Sequence, residues 1–353
     1  MTTSNTGPLR WALAGYGAGG RTFHRPLITS TGGLDLVAVM TGNPDRQSQV
    51  RDDVPGATPV GSLTELWALD VQGVTITTPS GTHAALAHEA LDLGLHVVVD
   101  KPFALTAADA QALVEHADAA GRVLVPYQNR RWDSDFLTLR ALIDAGELGE
   151  VHRFTSRIDR FRPVKGSWHG GTAEQGGGTL LDLGPHLVDQ ALTLFGPVDT
   201  VHAELRTIRP GAQAEDDVEL HLHHARGVYS TLAAGMASAA PGPRLHANGS
   251  RGGFVIDGFD VQEEQLKAGD SPATLGEAWG REPESAWGTL YAGDTWRRVG
   301  SERGRWDTFY PAVAGAISDG SAPPVDARDA VATAHVLDAA RESAATGSVV
   351  RLA

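Results

Sequence analysis

Three groups of residues have types and spacings that suit chemistry. The first is Gly15-Tyr16-Gly17-Ala18-Gly19-Gly20, a G-x-G-x-x-G run. It follows an apolar strand candidate, Trp11–Ala14, and precedes a helical stretch with Phe23 and Leu27. A strand, tight turn and helix in that order cradle a pyrophosphate on helix N-terminal N–H groups. Gly15 allows the turn, Gly17 the close approach and Gly20 the packing of helix on strand, with Tyr16 inside the loop. Glycine is abundant, at 42 of 353 residues, so the context carries this motif more than its letters do. The second group lies at strand ends, where open parallel sheets form their ligand crevice. Thr77-Thr78-Pro79 ends the fourth strand candidate, His83 opens the next helix, and Asp100-Lys101-Pro102 ends the fifth strand. A lysine at that mouth can contact a nicotinamide or a substrate hydroxyl, whereas His83 also reads as a plain helix-start residue. The third group is Asp182 and His186, four apart on one face of a predicted helix, with Asp189 one turn further on. A carboxylate beside an imidazole orients it and suits it to take an alcohol proton. On spacing alone, a surface ion pair is the commoner outcome.

The end of the second strand bears on cofactor choice. An acid there binds a ribose 2′-hydroxyl and disfavours a 2′-phosphate. Here the strand ends Val39-Met40-Thr41 and runs into Gly42-Asn43-Pro44-Asp45-Arg46, with Asp35 too early to serve. Thr41 can donate a hydrogen bond. Arg46 either reaches a 2′-phosphate or is a solvated residue of the first helical turn. His221 and His223 share a strand face while His224 points the other way, and no acidic trio stands near them, so no metal site is expected.

These residues need elements to hold them. Apolar runs at Trp11–Ala14, Leu34–Met40, Val74–Thr78, Leu95–Val99 and Val123–Val125 alternate with helical patterns. Ser62-Leu63-Thr64-Glu65 reads as a capping box opening one helix. Thr82–Leu93 and Thr106–Ala120 read as two more, the latter closed by Gly121. Such alternation implies right-handed crossovers and a parallel sheet. After residue 128 the pattern changes. Helices are expected at Trp132–Ala145, Leu180–Phe195 and Ala327–Ala345. Strands are expected at Val151–Phe161, Val198–Ile208, Asp217–His224, Val228–Ala234, Arg244–Ala247 and Gly253–Ile256. Consecutive strands without helices between them suggest an antiparallel sheet. Val228–Ala234 has apolar residues at both parities, which suggests burial on both faces. Gly269–Arg303 is polar, with several tryptophans, and its pattern assigns no element.

Composition narrows the function classes. The chain has no cysteine, which excludes disulfides, thiolate metal sites and cysteine nucleophiles. A net charge of −14 without a basic stretch argues against nucleic-acid binding. No apolar run approaches the roughly 20 residues of a membrane span. The Met1–Pro8 start lacks the features of a signal peptide, so the cytoplasm is expected.

Taken together, the motifs resemble the Gfo/Idh/MocA oxidoreductases. The resemblance rests on Gly15–Gly20, Thr77–His83, Asp100-Lys101-Pro102, Tyr127–Trp132 and Asp182-Leu183-Gly184-Pro185-His186. Phe23-His24-Arg25-Pro26-Leu27, Asn129–Phe136 and Arg160-Phe161-Arg162-Pro163 make it most similar to the NADP-dependent scyllo-inositol dehydrogenase subgroup. It departs in reading Asp100 where the family usually has Glu, and Gly42-Asn43 where the subgroup has Ser-Arg. The resemblance implies an α/β chain with an N-terminal Rossmann dinucleotide-binding domain, 1–128. A C-terminal α/β domain with an open, mostly antiparallel sheet, 129–353, would serve substrate binding and oligomerisation. The last helix could pack back on the first domain. It implies Lys101 and His186 as the catalytic pair with Asp182 beside them, Asn129 and Pro79 on the nicotinamide side, and Arg160, Arg162, Trp168 and His169 as substrate contacts. The expected cofactor is NADP, with NAD as the alternative. The expected partner is a small polyol or sugar, and the expected assembly a homodimer or homotetramer. The rival readings are an NAD-dependent glycoside hydrolase of the same fold and a non-catalytic dinucleotide sensor.

Overall fold

The first sheet orders the strand ends that the motifs occupy. A computed structural model describes residues 7–162 and 171–352. Within it, β1 (Leu9–Ala14), β2 (Leu34–Met40), β3 (Thr58–Val60), β4 (Gly73–Ile76), β5 (His96–Val99) and β6 (Leu124–Pro126) pair in the order 3-2-1-4-5-6. Every pairing is parallel. That order reverses direction between β1 and β4, which opens a crevice at their carboxyl ends. The strands are buried on both faces, so they read as apolar runs rather than alternating ones.

Local chemistry sets the helix limits. Asn43 caps the helix Pro44–Asp53 by accepting from the Arg46 N–H, and Pro44 fits its first turn. Thr106 caps Ala107–Ala120, and Gly121 closes it at φ 62°. Two expectations are corrected, and the helical stretch expected after the glycine run is present in a mixed form. Ser62 does not open an α-helix: its hydroxyl bonds the Glu65 carboxylate at 3.0 Å, and only a short 3₁₀ turn, Thr64–Leu69, follows. The helix after the glycine run starts as a wide π-type turn, Gly19–His24, before the α-helical Arg25–Thr29. The helix expected at Trp132–Ala145 is split at Asp133 into a 3₁₀ turn, Asn129–Trp132, and an α-helix, Ser134–Asp144.

The second sheet contains β7 (Val151–Asp159), β8 (Val198–Arg206), β9 (Asp217–His224), β10 (Tyr229–Gly235), β11 (Leu245–Gly249), β12 (Gly253–Ile256), β13 (Gly288–Ala292), β14 (Thr295–Val299) and β15 (Val350–Arg351). Their order is 14-13-12-11-7-10-9-8-15, and only the β7–β10 pairing is parallel. The β13–β14 hairpin comes from the stretch to which the sequence pattern assigned nothing.

The helices Thr179–Phe195 and Ala327–Thr346 cover one face of this sheet and form its core with Phe154, Leu220 and Leu232. The other face carries His221, His223 and Tyr229, the last 53% exposed. The apolar residues at both parities of Val228–Ala234 thus resolve into a buried side and a mostly polar one. The helix Ala327–Thr346 touches both sheets' cores, Ala330 and Ala334 packing with the first and Leu337 and Ala340 with the second. Among the described residues, no helix is long and apolar enough to cross a membrane.

Candidate active site

The carboxyl ends of the first sheet face the start of the helix Thr179–Phe195 across a cavity of about 490 Å³. Lys101, just past β5, reaches across it. Its Nζ donates to Asp182 Oδ1 at 2.6 Å and to the Asp182 carbonyl at 2.9 Å. His186 lines the same cavity at 5% exposure, and its Nδ1 has no hydrogen-bond partner among the described residues. Two sequence expectations change here. Asp182 and His186 are not a surface ion pair, since both line the cavity. The Asp182 carboxylate clamps Lys101 through Oδ1, and no hydrogen bond joins it to His186 among the described residues. Burial, and then Arg130, Lys101, Arg244 and Arg160, hold the His186 imidazole well below its usual range. It is therefore neutral and able to take a proton near pH 7. Asp189, one turn further on, pairs with Arg131 at 2.6 Å.

The glycine loop fits a dinucleotide. Gly15 has φ 97°, and a Cβ there would lie 2.8 Å from the Thr77 carbonyl oxygen. A Cβ on Gly20 would lie 2.1 Å from the Gly15 oxygen. On Gly17 it would meet only Arg46 Nη1, at 4.0 Å. Gly15 and Gly20 are therefore required by the protein itself, while Gly17 leaves open space where a pyrophosphate would approach. Gly20→Ala is expected to destabilise the fold by about 1–3 kcal/mol. Gly17→Val should leave the melting curve nearly unchanged yet weaken NADPH binding by about tenfold or more. Urea melts and fluorescence titrations read the two effects separately, and the reverse pattern would contradict this division.

Other expected cofactor residues take varied places. Tyr16 is buried, and its hydroxyl donates to Asp53 at 2.9 Å, tying the loop to the helix Pro44–Asp53. Thr41 is buried, and its hydroxyl accepts from the Asn43 N–H at 3.4 Å. Thr78 and Thr82 share a hydroxyl bond of 2.7 Å, and Pro79 stands beside them. His83 is 1% exposed, with Nδ1 and Nε2 each 2.8 Å from the carbonyls of Pro102 and Thr78. It is a strut between two strand ends. Asp100, Asn129, Arg160 and Arg162 do line the cavity. Trp168 and His169 lie outside the described residues. His221 pairs with Glu219 at 3.2 Å and His224 with the Gly196 carbonyl at 2.9 Å; no metal-holding cluster occurs among the described residues.

Sequence reasoning missed a polar chain behind Asp100. Trp11 Nε1 donates to Thr75 Oγ1 at 2.9 Å, Thr75 Oγ1 meets the Tyr310 hydroxyl at 3.1 Å, and that hydroxyl meets His24 Nδ1 at 2.6 Å. His24 Nε2 faces Asp100 Oδ2 at 3.5 Å. An indole only donates, so the Thr75 hydroxyl accepts from Trp11. Burial pushes the Asp100 carboxyl up, but His24 and Lys101 outweigh it and hold the group below its usual range. Asp100 Oδ1 also accepts from the Lys101 N–H at 2.7 Å, which fixes the backbone that aims Lys101. No periodicity links Trp11, Thr75 and Tyr310; only the folded sheet brings them together.

Comparison with known proteins agrees with this arrangement. Residues 9–128 match an oxidoreductase family with an NAD-binding Rossmann fold, and residues 136–255 match the GFO/IDH/MocA C-terminal domain. The uncharacterized oxidoreductase YdgJ of Escherichia coli K12 is 38% identical over 95% of this chain and 96% of its own. The scyllo-inositol 2-dehydrogenase (NADP(+)) IolW of Bacillus subtilis 168 is 34% identical over 95% of this chain and 93% of its own. The solved structure of the Bacillus subtilis oxidoreductase yvaA superposes with a TM-score of 0.91 at 31% identity, covering 100% of both chains.

Proposed function

The chain belongs to the Gfo/Idh/MocA oxidoreductases, and from that premise we propose that it oxidises a secondary alcohol of a cyclic polyol or sugar, and reduces the matching ketone in reverse. The observation that carries this reading is the gathering of Lys101, Asp182 and His186 in one cavity beside the glycine loop. The substrate hydroxyl lies between Lys101 Nζ and the His186 ring. When bound, the nicotinamide supplies or accepts the hydride. Lys101, held by Asp182, donates to the substrate oxygen and stabilises the negative charge that develops there. His186 takes the hydroxyl proton, and in reverse returns it. Asp182 thus acts through Lys101 rather than through the imidazole. Initial rates with inositols, sugars and sugar ketones against both NADP and NAD test the reading. Turnover of at least one polyol or sugar supports it, and none across the set contradicts it.

The cofactor favoured is NADP. Support comes from the lack of a carboxylate at the end of β2 and from Arg46, whose guanidinium stands beside Gly17. The relative IolW is named for NADP. NADPH should bind more tightly than NADH, and Arg46→Ala should narrow the gap. NADH binding tenfold tighter, about 1.4 kcal/mol, would contradict it. The assembly is a homodimer or homotetramer through the open face of the second sheet, around the exposed Tyr229. Light scattering should return a multiple of 37.1 kDa, and a single 37.1 kDa particle at micromolar concentration would contradict it.

A further inference from the structure

Most cations of the cavity are already paired. Lys101 is held by Asp182 at 2.6 Å, Arg130 by Asp133 at 3.0 Å and by Glu263 at 2.9 Å. Lys267 reaches Glu263 at 2.7 Å, and Arg209 reaches Asp216 at 2.8 Å. Arg160 and Arg162 line the same cavity, yet neither guanidinium has a hydrogen bond or ion pair among the described residues. Their backbones are fixed instead. The Arg160 N–H donates to the Gly235 carbonyl at 2.8 Å, and the Arg162 N–H to the Met236 carbonyl at 3.0 Å. The Arg162 carbonyl accepts from Arg209 Nη1 at 3.0 Å. Two guanidiniums are therefore presented from an anchored extension of β7 into the space where the substrate must sit.

Arg160 is half-buried and Arg162 exposed at the cavity rim. For Arg160, an unpaired guanidinium partly withdrawn from water is costly, and a carboxylate or phosphate offsets that cost through forked hydrogen bonds. Burial pushes Arg160 below its usual range, opposed by Asp182 and Glu263 and reinforced by Arg162 and Arg130. An incoming anion would reverse that direction. In a chain with a net charge of −14, two cavity arginines whose guanidiniums make no ion pair among the described residues are a local exception, although Asp182 and Glu263 line the same cavity. Resting on the alcohol-oxidoreductase reading above, we propose that the preferred substrate carries an anionic group, a carboxylate or a phosphate monoester, which Arg160 and Arg162 hold while Lys101 and His186 act on its hydroxyl.

The test compares matched substrates on the purified chain with NADP: glucose against glucuronate and glucose 6-phosphate, and myo-inositol against its monophosphate. The anionic member should have a kcat/KM at least about tenfold higher, and the two acidic series tell carboxylate from phosphate. Arg160→Gln should collapse that ratio towards one, mainly through KM, and Arg160→Lys should restore part of it. Calorimetric titration of the NADPH complex with the same compounds gives a readout independent of turnover. Anion binding that Arg160→Gln removes supports the proposal even if no compound is oxidised, an outcome that would fail only the polyol reading. Turnover of neutral members with no anion preference, or no binding of any anion, overturns the proposal and leaves that reading intact. Weaker NADPH binding by Arg160→Gln would assign the arginines to the cofactor and also overturn it.

Discussion

Lys101→Ala is expected to lower turnover by about 10²–10³-fold, the usual effect of removing one preorganised donor from a developing oxyanion. The structure gives a reason to expect the upper end. Lys101 is anchored at three points: its Nζ on the Asp182 carboxylate and carbonyl, and its N–H on Asp100. The ammonium is thus fixed before substrate arrives and needs no reorganisation during the reaction. Its removal also takes the ammonium away from Asp182, whose carboxylate then faces the substrate oxygen without the Lys101 charge between them. Asp182→Asn should therefore resemble a mild form of Lys101→Ala, and the double variant should lose far less than the product of the two effects. Saturating-substrate rates check this, with circular dichroism reporting the fold and NADPH titration the cofactor site. Near-normal kcat for folded Lys101→Ala would remove Lys101 from the chemistry.

His186→Ala should cost about 10²–10⁴-fold in turnover, the range for a positioned general base. It should disturb NADPH affinity less than Gly17→Val does, because His186 stands on the second sheet's helix and not in the glycine loop that would hold the pyrophosphate. The pH profile adds a sign. The imidazole is pushed well below 6.5 by burial first and by four cations second. Alcohol oxidation by the intact chain should therefore persist as pH falls through 6.5 and fail only below it, when His186 protonates. Ketone reduction, which needs the protonated ring, should gain over the same fall. Rates measured in both directions across this span check the pattern. Loss of oxidation centred at or above 6.5 would assign the titrating base elsewhere.

The sequence was most legible where one local rule decided the outcome. The glycine loop, the Thr106 and Gly121 helix limits, and the strand-end position of Lys101 each follow from short-range chemistry. It was least legible where a side chain chooses between partners distant in sequence. Asp182 and His186 share a helix face, and spacing pairs them; in the fold, Asp182 turns to Lys101, 81 residues earlier. His83 occupies a crevice-lining place in the chain, yet two carbonyls draw it inward. Ser62 has a capping-box spacing, but its hydroxyl goes to the Glu65 side chain instead of a backbone N–H. The β13–β14 hairpin escaped notice because its outer strand is nearly all exposed and carries arginines and tryptophan rather than an alternating pattern.

The central claim is that hydride moves directly and for good between the substrate carbon and the nicotinamide in this cavity. Mass spectrometry of the cofactor after turnover tests it most directly, using the best substrate deuterated at its carbinol carbon. The account predicts one deuterium in each reduced nicotinamide formed, in step with one ketone, and loss of that label transfer in Lys101→Ala and His186→Ala. Unlabelled cofactor alongside a hydrolysed glycoside, or cofactor unchanged with every alcohol offered, would contradict it.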